Sequence, residues 1–195
     1  MKPGDQVTTD FYTASGLELG SVKGTRIVDR DGNIYFPYIG TVKVLGLDAE
    51  KIRALLVQRF QPFYTDPVVT VNVQLRVNIT GVVGAPGHYF LDPTATIMDA
   101  LANAGGIGSE VGVGGSGIAA NSSAVRLVRD GKTIILNLRA EGADPTDVEM
   151  RIQSGDWIHV PPVALSRVRD NIAFITGVLA LASSVLGTVL LITRK

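Results

Sequence analysis

Apolar residues along this chain change their period several times, and each change marks an element. Between Val68 and Arg76, Val69, Val71, Val73 and Leu75 fall on one side. Asn72, Gln74 and Arg76 fall on the other, beyond Val68 and Thr70. Period-two alternation of this kind predicts a half-buried β-strand. Upstream, Thr25 to Val28 and Ile34 to Phe36 flank Asp29-Arg30-Asp31-Gly32-Asn33, a turn cluster between two strands. Pro37 interrupts, and Gly40 to Val44 reads as extended. The period then lengthens: Ile52, Leu55, Leu56 and Phe60 share one helical face behind Asp48, an N-cap residue, until Pro62 and Pro67 close the segment.

A second set of elements begins with Val77-Asn78-Ile79-Thr80, runs through Gly81-Val82-Val83-Gly84 and turns at Ala85-Pro86-Gly87. Thr96 and Asp99 have capping-box spacing before a helix on which Ile97, Ala100, Leu101 and Ala104 align, with Gly105 placed to end it left-handed. Residues 105 to 117 hold seven glycines and are expected to form a long flexible loop. A hairpin, Val125 to Arg129 and Thr133 to Leu138, is expected around Asp130-Gly131. Gly155-Asp156 then leads into the strand Trp157-Ile158-His159-Val160, stopped by Pro161-Pro162. These elements predict an α+β fold: two small units, residues 1–76 and 77–164, the second with one helix across a mixed sheet.

The pattern at the end of the chain is different again. Ile172 to Ile192 is a run of 21 residues without a charge, between Arg167, Arg169 and Asp170 before it and Arg194 and Lys195 after it. As a helix it would be roughly 31 Å long, about the hydrocarbon thickness of a bilayer. A single transmembrane helix is therefore expected within residues 165–195. Ala173, Gly177, Ala180, Ser184 and Gly187 recur at spacings of four and three, a seam along which helices could pack closely. Small residues are also common in membrane helices generally. Thr176, Ser183 and Thr188 flank the seam and could face neighbouring helices or a water-filled lumen. Basic residues lie at both ends, so charge does not orient the span.

Composition narrows the chemistry. Eighteen basic and eighteen acidic residues balance, which argues against nucleic acid as a partner. No cysteine is present, which excludes disulfides, thiolate metal sites, cysteine nucleophiles and a lipidated cysteine in this sequence. Met1 leads at once into the turn Pro3-Gly4-Asp5, so no signal peptide is read there; an exported protein would then be a mature or shortened chain. Gly131-Lys132-Thr133 is not a phosphate loop, since Arg126 stands where the first glycine belongs. Asp29 to Asn33 is not a calcium loop, since Gly40 stands where the bidentate Glu belongs. His88 and His159, the only histidines, lack metal-pair spacing. Glu141, Asp144, Asp147 and Glu149 could offer two carboxylates for glycoside hydrolysis, but such runs are usually solvated loops. Trp157 could stack on a sugar ring; at the start of a short apolar strand it reads more naturally as a core anchor. No cofactor is expected.

Taken in order, these turns resemble those of the polysaccharide export proteins of Gram-negative envelopes. Pro3-Gly4-Asp5, Asp31-Gly32-Asn33-Ile34, Pro37, Gly40, Val42, Gly46 and Pro67-Val68-Val69 match the export domain. Gly81-Val82, Pro86-Gly87-His88-Tyr89, Ala104-Gly105-Gly106, Gly155-Asp156 and Val160-Pro161 match the sugar-associated β-grasp domain that follows it. The resemblance covers residues 2 to 162. It implies an outer-membrane homo-oligomeric ring with a periplasmic body, polysaccharide cargo (capsule or exopolysaccharide), and an inner-membrane polysaccharide co-polymerase as partner. It implies passage rather than catalysis. The sequence has one β-grasp unit where larger members have more, and its tail is nearly uniformly apolar where the best-known members have an amphipathic pore helix. Two readings of the tail therefore stand, a pore helix with a weakly polar interior and a simple anchor in the outer or inner membrane. A membrane-anchored glycan- or partner-binding module without a pore is the alternative function.

Overall fold

Alternation does more than make a half-buried strand here: it continues through the expected boundary between the two units. In the computed structural model, which describes residues 1–111, 117–139, 141–142 and 144–163, the strands in chain order are β1 (Gln6–Tyr12), β2 (Gly24–Ile27), β3 (Asn33–Phe36) and β4 (Gly40–Lys43). Helix α1 (Ala49–Phe60) precedes β5 (Val68–Gly81), a single strand of 14 residues, and β6 (Gly87–Leu91). Helix α2 (Ile97–Asn103), β7 (Ser109–Val111), β8 (Gly117–Ala119), β9 (Val125–Arg129), β10 (Lys132–Leu136), the short helix α3 (Pro145–Val148) and β11 (Trp157–Val160) complete the order.

Among the described residues, seven strands form one sheet ordered β10-β9-β11-β5-β1-β2, with β6 also on β5. β11 runs parallel to β5 and the other pairs are antiparallel, so the sheet is mixed as expected. β5 carries both units. Its Val68–Gln74 segment pairs with β1, Leu75–Ile79 with β6, and Asn78–Gly81 with β11. Two cores lie along it. Val7, Phe11, Val69 and Val73 meet Ile52, Leu56 and Phe60 of α1 in the first. Val77, Ile79, Leu127 and Ile158 meet Ile97, Ala100 and Leu101 of α2 in the second. Leu75 packs against both.

The local rules act where the residues indicate. Asp48 caps α1 by accepting from Lys51 N at 2.9 Å. Thr96 and Asp99 form a reciprocal capping box on α2, and Gly105 ends it at φ +81°. Asp130 and Gly131, at φ +48° and +76°, make the β9–β10 turn.

Besides the continuous β5, two features depart from the sequence reading. Strand β1, central to the first unit, is one that the sequence pattern did not reveal. The turn at Asp29 lies between two strands as read, β2 and β3, which pair with β1 and β4 respectively. The glycine-rich stretch is not a plain loop, because β7 and β8 pair as an antiparallel hairpin. Among the described residues no helix is long and apolar enough to cross a membrane. The span expected within 165–195 lies outside the described residues.

Candidate functional site

Two short segments at opposite ends of the body adopt the same turn. In Lys2-Pro3-Gly4-Asp5 and in Gln153-Ser154-Gly155-Asp156 the glycine takes φ of +92° and +81°, a conformation costly for any residue with a Cβ. The aspartate N–H then donates to the carbonyl three residues back, at 3.2 Å in the first and 3.1 Å in the second. Its carboxylate accepts the N–H of that same residue, Lys2 or Gln153, at 2.7 Å. Both aspartates are buried. Burial of a carboxylate is tolerable only when its lone pairs are filled. Asp5 also accepts from Arg76 N at 2.9 Å and Ser154 Oγ at 2.7 Å. Asp156 takes a two-pronged contact from Arg129, Nε at 2.8 Å and Nη2 at 2.7 Å. That hydrogen bond is the main reason the Arg129 guanidinium is held above its ordinary pKa.

The two turns meet at one residue of β5. Arg76 donates its N–H to Asp5 and accepts from Gly155 N at 2.9 Å, and Asn78 N donates to Asp156 O at 2.9 Å. A strand residue aims its N–H and C=O at the same edge, so β1 and β11 lie end to end along one edge of β5 with the turns between them. The Arg76 side chain covers Gly4 so closely that a Cβ there would sit 2.6 Å from the guanidinium carbon. On the surface, Lys2 Nζ reaches Asp130 Oδ1 at 2.6 Å and holds that carboxyl below the usual range. The result is a rigid joint between the two units.

Beside the joint, the second unit turns one face of its sheet away from α2. Strand register places Thr133, Val128, Trp157, Asn78 and His88 in one row across it. Ile135, Arg126, His159 and Thr80 form the next. Trp157 is 45% exposed, so it is not the core anchor the sequence suggested. Core positions on β11 go to Ile158 and Val160, and alternation turns Trp157 outward. Its Nε1–H donates to Thr80 Oγ1 at 2.7 Å, and Thr80 Oγ1 lies 3.0 Å from His159 Nδ1. The indole is thereby pinned while one surface of the ring stays in water.

Other residues singled out by sequence take mainly structural positions. Gly32 lies in the turn before β3, Pro37 in the turn after it, and Gly40 opens β4. Gly81 ends β5, Pro86 and Gly87 lead into β6, and Gly105 and Gly106 follow α2. Asp29 accepts from Asp31 N and Asn33 N, as a turn aspartate does. Of the four acidic residues considered for hydrolysis, Asp144 caps α3 and Asp147 accepts from Asn137 N. Among the described residues no three acidic or histidine side chains converge to hold a metal ion. The seam of Ala173, Gly177, Ala180, Ser184 and Gly187, with Thr176, Ser183 and Thr188 beside it, lies outside the described residues.

The sequence matches known families in two consecutive segments. Residues 1–74 match the family described as polysaccharide biosynthesis/export protein, and residues 75–160 match the SLBB domain. The EPS I polysaccharide export outer membrane protein EpsA of Ralstonia solanacearum is 31% identical over 192 residues, covering 92% of this chain and 47% of EpsA. The polysialic acid transport protein KpsD of Escherichia coli is 29% identical over 120 residues, covering 57% of this chain and 20% of KpsD. The chain thus spans about half the length of the EpsA proteins it matches, and a smaller share of KpsD.

Proposed function

The chain belongs to the polysaccharide export protein family, and on that basis we propose that it is one subunit of an oligomeric ring that passes polysaccharide across the outer membrane. The observation that carries this reading is the consecutive match of an export domain and an SLBB domain to one joined body. The family's role is transport rather than catalysis. The acidic residues that could have argued for hydrolysis are spent in part on capping and backbone contacts. The proposed work is therefore geometric. A hydrated polysaccharide needs a wide path, wider than a chain of 20.6 kDa can enclose alone. Head-to-tail packing of identical rigid wedges closes into a ring around such a path.

In this arrangement residues 1–76 and 77–164 form the periplasmic body, and residues 165–195 hold it in the outer membrane as a helix. An inner-membrane polysaccharide co-polymerase delivers the polymer. End-on electron microscopy of the detergent-extracted protein tests the reading, with rings around a central opening as the expected result. Monomers in mild detergent would overturn it in favour of an anchored binding module. Cysteine substitution tests the tail. In a pore, Cys at Thr176 or Ser183 reacts with a water-soluble thiol reagent while Cys at Leu179 or Leu186 does not, because the thiolate forms where water reaches it. Equal protection at all four positions would make the tail an anchor only.

A further inference from the structure

The outward sheet face of the second unit gathers the least common residues of the chain. Its single tryptophan and both of its histidines stand on this face, with Trp157 and His88 in one cross-strand row and His159 in the next. Trp157 forms a ridge with a recess on either side. One recess includes Arg126 and His159 in its lining, and the other includes Arg76, Asn78 and His88. Neither cross-strand row contains a carboxylate, and the one carboxylate residue in the lining of either recess, Asp156, is buried with its oxygens filled by Arg129 and the Gln153 N–H. The side chains of Arg126, Asn78 and His88 make no hydrogen bond or ion pair within the described residues. The face is thus an exposed aromatic surface between basic groups whose donors are unspent.

From this we infer that the face around Trp157 binds a carboxylate-bearing stretch of the exported glycan, an inference that rests on the export reading above. Each part of the ligand has a counterpart. The C–H surface of a pyranose ring is apolar and stacks on an indole. Trp157 is pinned for this by Thr80, at no further ordering cost when the sugar arrives. Thr80 Oγ1 occupies Nδ1 of His159 at 3.0 Å, which leaves the other ring nitrogen, Nε2, to meet a hydroxyl of the ligand. A sugar carboxylate meets the planar fork of Arg126, the group best suited to it. Five strands wide, the face spans about 19 Å, enough for several sugar units in a row. A neutral glycan would leave the guanidinium without a matching charge, which is why the acidic class is assigned.

Because Trp157 is the only tryptophan, its fluorescence in the full-length, detergent-extracted protein reports this face alone. The probes are hexagalacturonate, an acidic six-sugar chain, and the neutral maltohexaose. Hexagalacturonate is expected to change Trp157 emission saturably, with Arg126→Gln and maltohexaose each weakening the effect about tenfold. Arg126 is exposed and, among the described residues, unpaired, so the substitution leaves the fold intact. Any of three results would overturn the inference: no response to hexagalacturonate, an equal response to both glycans, or an equal response in Arg126→Gln. It is also overturned if Trp157 is shielded from iodide in the intact oligomer and becomes accessible on dissociation, for the face would then be covered by a second copy. Export is read separately, from surface polysaccharide in cells lacking the chain. Unchanged surface polymer there overturns the export reading itself, while lost polymer with a silent Trp157 overturns only the glycan face.

Discussion

Individual residues carry unequal weight in this body, and burial decides which of them matter. Asp156→Ala strands the largely buried Arg129 guanidinium and is expected to cost about 3–5 kcal/mol in a urea titration. Asp5→Ala leaves the N–H groups of Lys2 and Arg76 without their acceptor and is expected to cost roughly 2–4 kcal/mol. Lys2→Ala removes only an exposed ion pair, so its unfolding midpoint should barely move. A midpoint for Asp5→Ala equal to that of Lys2→Ala would remove the joint from the account. Asp99 makes a pH prediction. The backbone N–H and hydroxyl of Thr96 hold its carboxyl below the usual range in the folded state. A lowered folded pKa gives stability that is present above the unfolded value and lost as pH falls toward the folded one. Stability measured from about pH 5 down to pH 2 should therefore fall less steeply in Asp99→Asn, and the two proteins should converge in acid. Parallel curves would sink this assignment.

At the scale of elements, the sequence was legible where a rule is local and silent where a partner is distant. The Asp48 cap, the Thr96–Asp99 box and the Asp130-Gly131 turn depend on neighbours within a few positions, and all three form as read. β1 escaped because Thr8, Thr9 and Asp10 interrupt its apolar alternation. Thr9 is nevertheless buried, accepting from Arg26 at 3.1 Å and donating to Gly24 O at 3.4 Å. The unity of β5 was available: Val69 through Ile79 alternate without a break, yet the strand reads as two when a domain boundary is placed at Arg76. The joint was half legible. Both Gly-Asp turns are visible in the sequence, but Asp5 and Ser154 are 149 positions apart and nothing local pairs them. Trp157 was misread because a strand of four residues gives alternation too little length to set its phase. For the tail, the seam makes its own prediction. Gly177→Leu or Gly187→Leu should weaken the proposed oligomer in detergent while the body stays folded, since each Leu forces helix backbones apart. Oligomers of unchanged size in both variants would dismiss the seam.

For the molecule as a whole, the buried apolar residues of both cores, among the described residues, fall within residues 7–160. Deleting residues 165–195 is therefore expected to leave a folded body that stays soluble without detergent, as gel filtration and circular dichroism would show. Aggregation of that fragment would mean that the body needs the membrane or the contacts of the proposed ring to hold its shape. β5 adds a mechanical consequence. With 14 residues it is a beam about 46 Å long, clamped near its middle by two buried carboxylate turns. A beam has no hinge to absorb rotation, so a tilt imposed on one unit swings the other. A rotation of about 5° moves the far end by roughly 4 Å over that length. In the ring proposed above, the beams would lean together, so that a small collective tilt at one rim becomes an iris-like change of bore at the other.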